Sequence, residues 1–239
     1  MMQVNLGKQL PFWGFILALS FFPITQVKGS ILSHGSSKGF EHEVNTLYDE
    51  LSIANNDSLP SFEVFSFALR GYQMLYSDSA GIEKNILTII DFSKPSKEKR
   101  LWVIDIETGK VLFHDLVAHG QASGSQFATR FSNVPNTHMS SLGFYITGKT
   151  YQGKHGLSLY LDGVEEGFNH NARKRYIVMH GASYVCPAFV KKYGRLGRSF
   201  GCPAISKEIS KDVINTIAGG SCLFIYYPDK TYLESSSYL

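Results

Sequence analysis

The sequence predicts a mainly β domain with flanking helices, preceded by a helical N-terminal segment. Three observations carry this. Apolar spacing switches from helical to alternating at residue 86. Short β-rich runs then follow one another with Gly-containing turns between them. Their connections are mostly too short for a strand–helix–strand crossover, which favours an antiparallel or mixed sheet. The composition is globular, with 44% apolar and 18% charged residues and an aromatic content, Tyr 13 and Phe 17, that suits strands.

In chain order, Phe12–Phe22 is an apolar run preceded by Lys8 and ended by Pro23, with Val27-Lys28-Gly29 after it. Residues 1–29 read as a secretory signal, too short for a comfortable membrane span. Its removal takes Lys8 and Lys28 from a formal net charge of +3. A nearly neutral chain carries no electrostatic footprint for nucleic acid. Residues 30–85 form the helical segment. After a flexible lead, Val44, Leu47, Tyr48 and Leu51 recur at helical spacing. Phe62, Phe65, Leu69, Tyr72 and Tyr76 do so again after Ser58 or Ser61 as a cap and Pro60 in the first turn.

Strands are expected at 86–90, 101–106, 111–113, 143–147, 157–161, 176–180 and 222–227 within a domain spanning 86–228. A helix is expected over 206–217, with Ser206 as its cap. Residues 229–239 read as a loose polar tail.

Three cysteines, Cys186, Cys202 and Cys222, leave at least one thiol unpaired. An exported chain that keeps a free thiol generally uses it. Cys186 and Cys222 are the two left over, and sequence does not decide whether they pair. Cys202 follows Gly201 just ahead of the expected helix, where free amides and a helix dipole favour a thiolate. His180-Gly181 ends an apolar strand, which places an imidazole at a sheet rim. A thiol near pKa 8.5 is a poor nucleophile until a base takes its proton. His180 is the candidate base, and the amides around Gly201 and Cys202 are candidate oxyanion donors. Ser183, Ser199 or a backbone carbonyl is left to orient the imidazole. His155, in Lys154-His155-Gly156, is a second site candidate; His119-Gly120 reads as a structural rim histidine.

These residues resemble the L,D-transpeptidase catalytic domain family (YkuD-like), which carries a His-Gly element and then a Ser/Thr-His-Gly-Cys-x-Arg element. The wider match resembles its murein L,D-transpeptidase branch. It includes Asp91–Ser96, Lys99-Arg100-Leu101, Val117–Gly120, Ser140–Tyr145, Gly153–Leu159 and Gly194–Ser199. The resemblance implies a β-sandwich-like catalytic domain acting on peptidoglycan stem peptides, with no cofactor. Cys202 matches the nucleophile, His180 the base, and Ser199 and Gly201 the flanking motif. Gly181, His155, Arg195 and Arg198 are expected on the substrate. Phe200 stands where the family has His, and Ala204 where it has Arg, so Arg195 or Arg198 is expected to supply the missing cation. With an amine as acceptor the product is a cross-link; with water the enzyme is an L,D-carboxypeptidase. Two other readings stand beside these. One is a zinc hydrolase using His119, His155, His180 and Cys202, without any H-E-x-x-H spacing. The other is a non-catalytic wall-binding protein.

Overall fold

The computed structural model describes Met1 and residues 37–53, 57–78 and 80–239. The apolar run of residues 1–29 and most of the lead after it lie outside the described residues. Two helices open the unit Gly35–Leu239: α1 (Ser37–Glu50) and α2 (Phe62–Ser77). Ser61 caps α2, its hydroxyl accepting from the Val64 N–H at 3.3 Å, and Val64, Phe65, Ala68, Leu69, Tyr72 and Leu75 are buried along one face. That face packs on the sheet and joins the main core, so the helical segment shares its hydrophobic interior with the β domain.

Nine strands follow: β1 (Ile86–Asp91), β2 (Leu101–Asp105), β3 (Lys110–Asp115), β4 (Val117–Ala118), β5 (Gly143–Gly153), β6 (Gly156–Gly163), β7 (Val178–Ala182), β8 (Ala204–Ser206) and β9 (Cys222–Tyr226). They form one mixed sheet in the order β3-β2-β1-β9-β5-β6-β7-β8-β4, parallel at β1·β9 and β7·β8 and antiparallel elsewhere. The two ends of that order, β3 and β4, are consecutive in the chain and separated only by Leu116. The sheet therefore curls back on itself into a near-barrel. The interior is apolar and aromatic: Phe144 of β5 stacks on Phe224 of β9 at 4.2 Å, and Trp102 of β2 is buried.

Helices α3 (Pro187–Tyr193), α4 (Ser210–Ile217) and α5 (Lys230–Ser235) complete the described residues. Two local expectations are corrected. The helix expected from Ser206 starts only at Ser210, because Ala204–Ser206 pairs as β8 with β7. The Ser206 hydroxyl instead accepts from the Glu208 N–H at 3.2 Å in the turn between the two. Residues 229–239 are not loose: Asp229 caps α5, and Tyr232 is fully buried with its hydroxyl donating to Glu165 at 3.0 Å.

Candidate active site

Strand β7 carries His180, paired across the sheet with Ser158 of β6 and Ala204 of β8. Cys202 lies two residues before Ala204, which sets it beside Val178 in the same register. The Val178 N–H reaches the Cys202 Sγ at 3.5 Å, and the thiol reaches the Tyr176 carbonyl at 3.5 Å. Strand side chains two residues apart share a face. His180 and Cys202 thus both line one cleft of about 480 Å3, together with Ser199, His155, Arg198, Arg175, Tyr176 and Phe200. That volume suits a peptide-sized ligand. Among the described residues no Asp or Glu side chain lines it, while Lys154, Arg175 and Arg198 do.

The His180 ring is 4% exposed, and its Nδ1 lies 3.1 Å from the Gly181 carbonyl. A carbonyl only accepts, so Nδ1 carries the hydrogen and Nε2 keeps its lone pair. The group orienting the imidazole is therefore the backbone carbonyl of Gly181. Gly181 itself lies outside the lining of this cleft and borders a neighbouring hollow. Burial holds His180 below the usual histidine range, with the Gly181 contact opposing and His155 and Lys154 adding to the fall. The His155 ring stacks on His180 at 4.4 Å and 18° from the tip of the β5–β6 hairpin.

The expected acidic thiol is corrected. No helix begins at Cys202, since β8 follows it, and burial pushes the thiol up. The Val178 N–H, Arg175, the residue's own N–H and Lys154 only partly offset this. Burial thus disfavours the charged form of both Cys202 and His180, the opposite of what a standing ion pair would need.

The turn that presents Cys202 is tied from within. The Ser199 hydroxyl donates to the Cys202 carbonyl at 2.6 Å and accepts from the Gly201 N–H at 3.1 Å. That removes the Gly201 amide from the oxyanion candidates and leaves the Cys202 N–H, which lies against its own sulfur. Gly201 has φ 121°, and a Cβ there would lie 2.8 Å from the Met139 carbonyl oxygen. A Cβ at Gly120 would fall 2.9 Å from the Gly201 Cα, so both positions require glycine for close backbone approach.

Among the described residues, the three non-glycine positions with positive φ are Asn136, His138 and Tyr176, and all three line the cleft. Backbone held in this region persists where surrounding structure over-determines it, commonly at functional sites. Phe200, 64% exposed, stacks on His138 at 4.3 Å.

The cation nearest in effect to the sulfur is Arg175, which sequence reasoning left within the basic cluster Arg173-Lys174-Arg175. Arg173 pairs with Asp162 at 2.6 Å, but Arg175 turns inward. It donates to the carbonyls of Ser132 and Met139, both at 2.6 Å, and to the Ser141 hydroxyl. Its charge lowers the Cys202 thiol. Arg198 lines the cleft while donating to the Gln121 and Gly124 carbonyls at 3.2 and 2.8 Å. Arg195 does not line it; its guanidinium donates to the Leu196 carbonyl at 2.7 Å. Cys186 and Cys222 are unpaired thiols, the second buried in β9. His119 is fully buried away from the cleft lining. Among the described residues, no three His, Cys, Asp or Glu side chains converge as metal ligands.

A family profile described as "L,D-transpeptidase catalytic domain" matches residues 56–226. No curated protein matches the chain. Solved structures similar to it include an L,D-transpeptidase from Mycobacterium smegmatis, at 13% identity and TM-score 0.36, covering 60% of this chain and 59% of that one. Another is an L,D-transpeptidase from Stackebrandtia nassauensis, at 14% identity and TM-score 0.36, covering 81% and 91%. A third, from Xylanimonas cellulosilytica, has 14% identity and TM-score 0.35, covering 80% and 94%. The chain thus spans less than two thirds of the Mycobacterium smegmatis protein.

Proposed function

The chain belongs to the L,D-transpeptidase catalytic domain family, and from that premise we propose that it is an exported peptidyltransferase acting on peptidoglycan stem peptides through a Cys202 acyl-enzyme. The observation that carries the reading is a thiol and an imidazole whose Nδ1 is tied to a carbonyl, both lining one cleft with no Asp or Glu among its described lining residues. Among the described residues no helix is long and apolar enough to cross a membrane. Export rests on the apolar N-terminal run.

In the proposed reaction the carbonyl of the L-centre lies against Cys202. His180 Nε2 takes the thiol proton as sulfur bonds to the carbonyl carbon. The Cys202 N–H receives the developing oxyanion. When the tetrahedral species collapses, the C–N bond breaks, and the imidazolium gives its proton to the departing amine of the terminal D-amino acid. A thioester on Cys202 remains. Arg175 and Lys154 favour the sulfur as a leaving anion in the second half-reaction, since both lower the thiol. Arg198 and the positive-φ residues Asn136, His138 and Tyr176 supply the walls that hold the stem.

Cys202→Ala is expected to abolish the mass adduct seen when the protein is mixed with a tetrapeptide stem. Full turnover by that variant would end the proposal.

A further inference from the structure

Residues 132–141 form a loop without helix or strand, closed at its neck where the Ser132 N–H donates to the Ser140 carbonyl at 3.0 Å. The loop carries Asn136 and His138, two of the positive-φ walls of the Cys202 cleft. It also touches the turn that presents the sulfur. The Ser140 hydroxyl donates to the Gly201 carbonyl at 3.0 Å, and the His138 ring stacks on Phe200. The Met139 carbonyl lies so close to Gly201 that no Cβ fits there. Arg175 grips the neck of this loop. One end of its guanidinium fork, Nη1, donates to the Ser132 carbonyl at 2.6 Å and to the Ser141 hydroxyl. The other end, Nη2, donates to the Met139 carbonyl at 2.6 Å. The next residue, Tyr176, supplies the carbonyl that accepts from the Cys202 thiol.

All of these partners are neutral, and Arg175 enters no ion pair among the described residues. A half-buried cation without a carboxylate bears a desolvation cost that hydrogen bonds to carbonyls only partly return. Burial accordingly holds the guanidinium below the usual arginine range, with Tyr145 and then Cys202 opposing the fall. What the side chain offers in exchange is a rigid planar fork, able to hold several acceptors at fixed separations where a point charge would not. We infer that Arg175 is a positioning residue, whose fork locks the neck of the 132–141 loop and, through it, the turn that sets the Cys202 sulfur against the substrate carbonyl. The contacts run in one line. Arg175 holds Met139 and Ser141, Met139 and Ser140 bear on Gly201, and Gly201 precedes Cys202. The charge that Arg175 places near the sulfur is a separate effect, and a lysine at this position separates the two. This rests on the acyl-enzyme reading above.

The test uses the whole protein with a tetrapeptide stem and follows acyl-enzyme formation by intact mass over a range of stem concentrations. A second readout is the pH profile of Cys202 alkylation by iodoacetamide, with the modified residue identified by peptide mass. Arg175→Lys keeps the charge and loses the fork. Its maximal acylation rate should fall about 10²-fold, the worth of an ångström-scale misplacement, with the half-saturating stem concentration within about twofold of wild type. Its alkylation midpoint should stay at the wild-type pH. Ser140→Ala leaves Arg175 in place and cuts the same line further along; it should lower the maximal rate about fivefold, the worth of one hydrogen bond. A wild-type acylation rate in Arg175→Lys overturns the inference, because charge alone then suffices. So does a rate that falls in step with a shifted alkylation midpoint, or a raised half-saturating concentration at unchanged maximal rate. A wild-type rate in Ser140→Ala overturns it independently of how well Arg175→Lys folds. Each of these outcomes leaves the acyl-enzyme reading intact. Absence of any acyl-enzyme in wild type overturns that reading and this one with it.

Discussion

Two His-Gly pairs go with apolar strands in this chain, one just after β4 and one inside β7 rather than at its end, and they have opposite fates. His119-Gly120 follows β4; its ring is fully buried, and its Nδ1 lies 2.8 Å from the guanidinium of the equally buried Arg100. Guanidinium only donates, so Nδ1 is the acceptor and Nε2 carries the hydrogen, turned toward the Gly124 backbone. His180-Gly181 sits in β7 with Nδ1–H tied to a carbonyl, and His180 lines the cleft that holds Cys202. The first imidazole has given its lone pair to a cation and takes a proton only at low pH. The second has placed its hydrogen on the backbone and kept its lone pair for chemistry. On the proposed mechanism, what separates a structural histidine from a base is which nitrogen the fold ties off.

The largest expected consequence is kinetic. His180→Ala should slow acyl-enzyme formation by about 10²–10⁴-fold, the usual worth of a positioned general base, with little change in unfolding midpoint. His119→Ala should reverse that pattern, leaving the acylation rate of folded protein near wild type. Equal kinetic losses from the two would break the comparison.

Next in size is stability. The Arg100 guanidinium donates to the Val117 carbonyl at 2.9 and 3.0 Å and to the Lys94 carbonyl at 2.7 Å, as well as to His119. Arg100→Ala strands these buried acceptors and should cost about 3–5 kcal/mol in urea unfolding. A loss well under that would mean Arg100 does not organise the sealed site.

The pH dependence sharpens the contrast further. Burial first, then Arg100, lowers His119 from 6.5 to about 3. Above pH 6.5 the group is neutral in both folded and unfolded chains and contributes no pH slope. Below it, the unfolded chain gains a proton that the folded chain refuses, so stability falls as pH drops toward 3. His119→Phe should flatten that fall by about a few kcal/mol between neutral and acid urea titrations. For His180, also lowered, the acid limb of the acylation rate should lie below the ordinary histidine range. The smallest effect concerns His155, whose charge adds to the lowering of His180. His155→Ala should move that limb upward in pH, and a downward move would contradict the stacked arrangement.

Much of this was legible in the sequence. The strands announced themselves through alternation and glycine turns, and Cys202 and His180 through an odd thiol and a strand-ending His-Gly. Other features had no signature. The group that orients His180 is a carbonyl, which every residue possesses. Arg175 is one of three adjacent basic residues, and only the turn before β7 decides which of them points inward. Ala204–Ser206 is too short to show a period, so Ser206 reads as a helix cap. The tail after Pro228 is polar, and one tyrosine, Tyr232, anchors it through a buried carboxylate.

The junction at Leu116 has one more effect. The uninterrupted stretch from Lys110 to Ala118 zips to β2 along its first part and to β8 along its last. The sheet's two margins are thereby one continuous piece of backbone, so a foreign strand meets a short bent margin instead of two long separate ones. That seam works against edge-to-edge aggregation of the sheet.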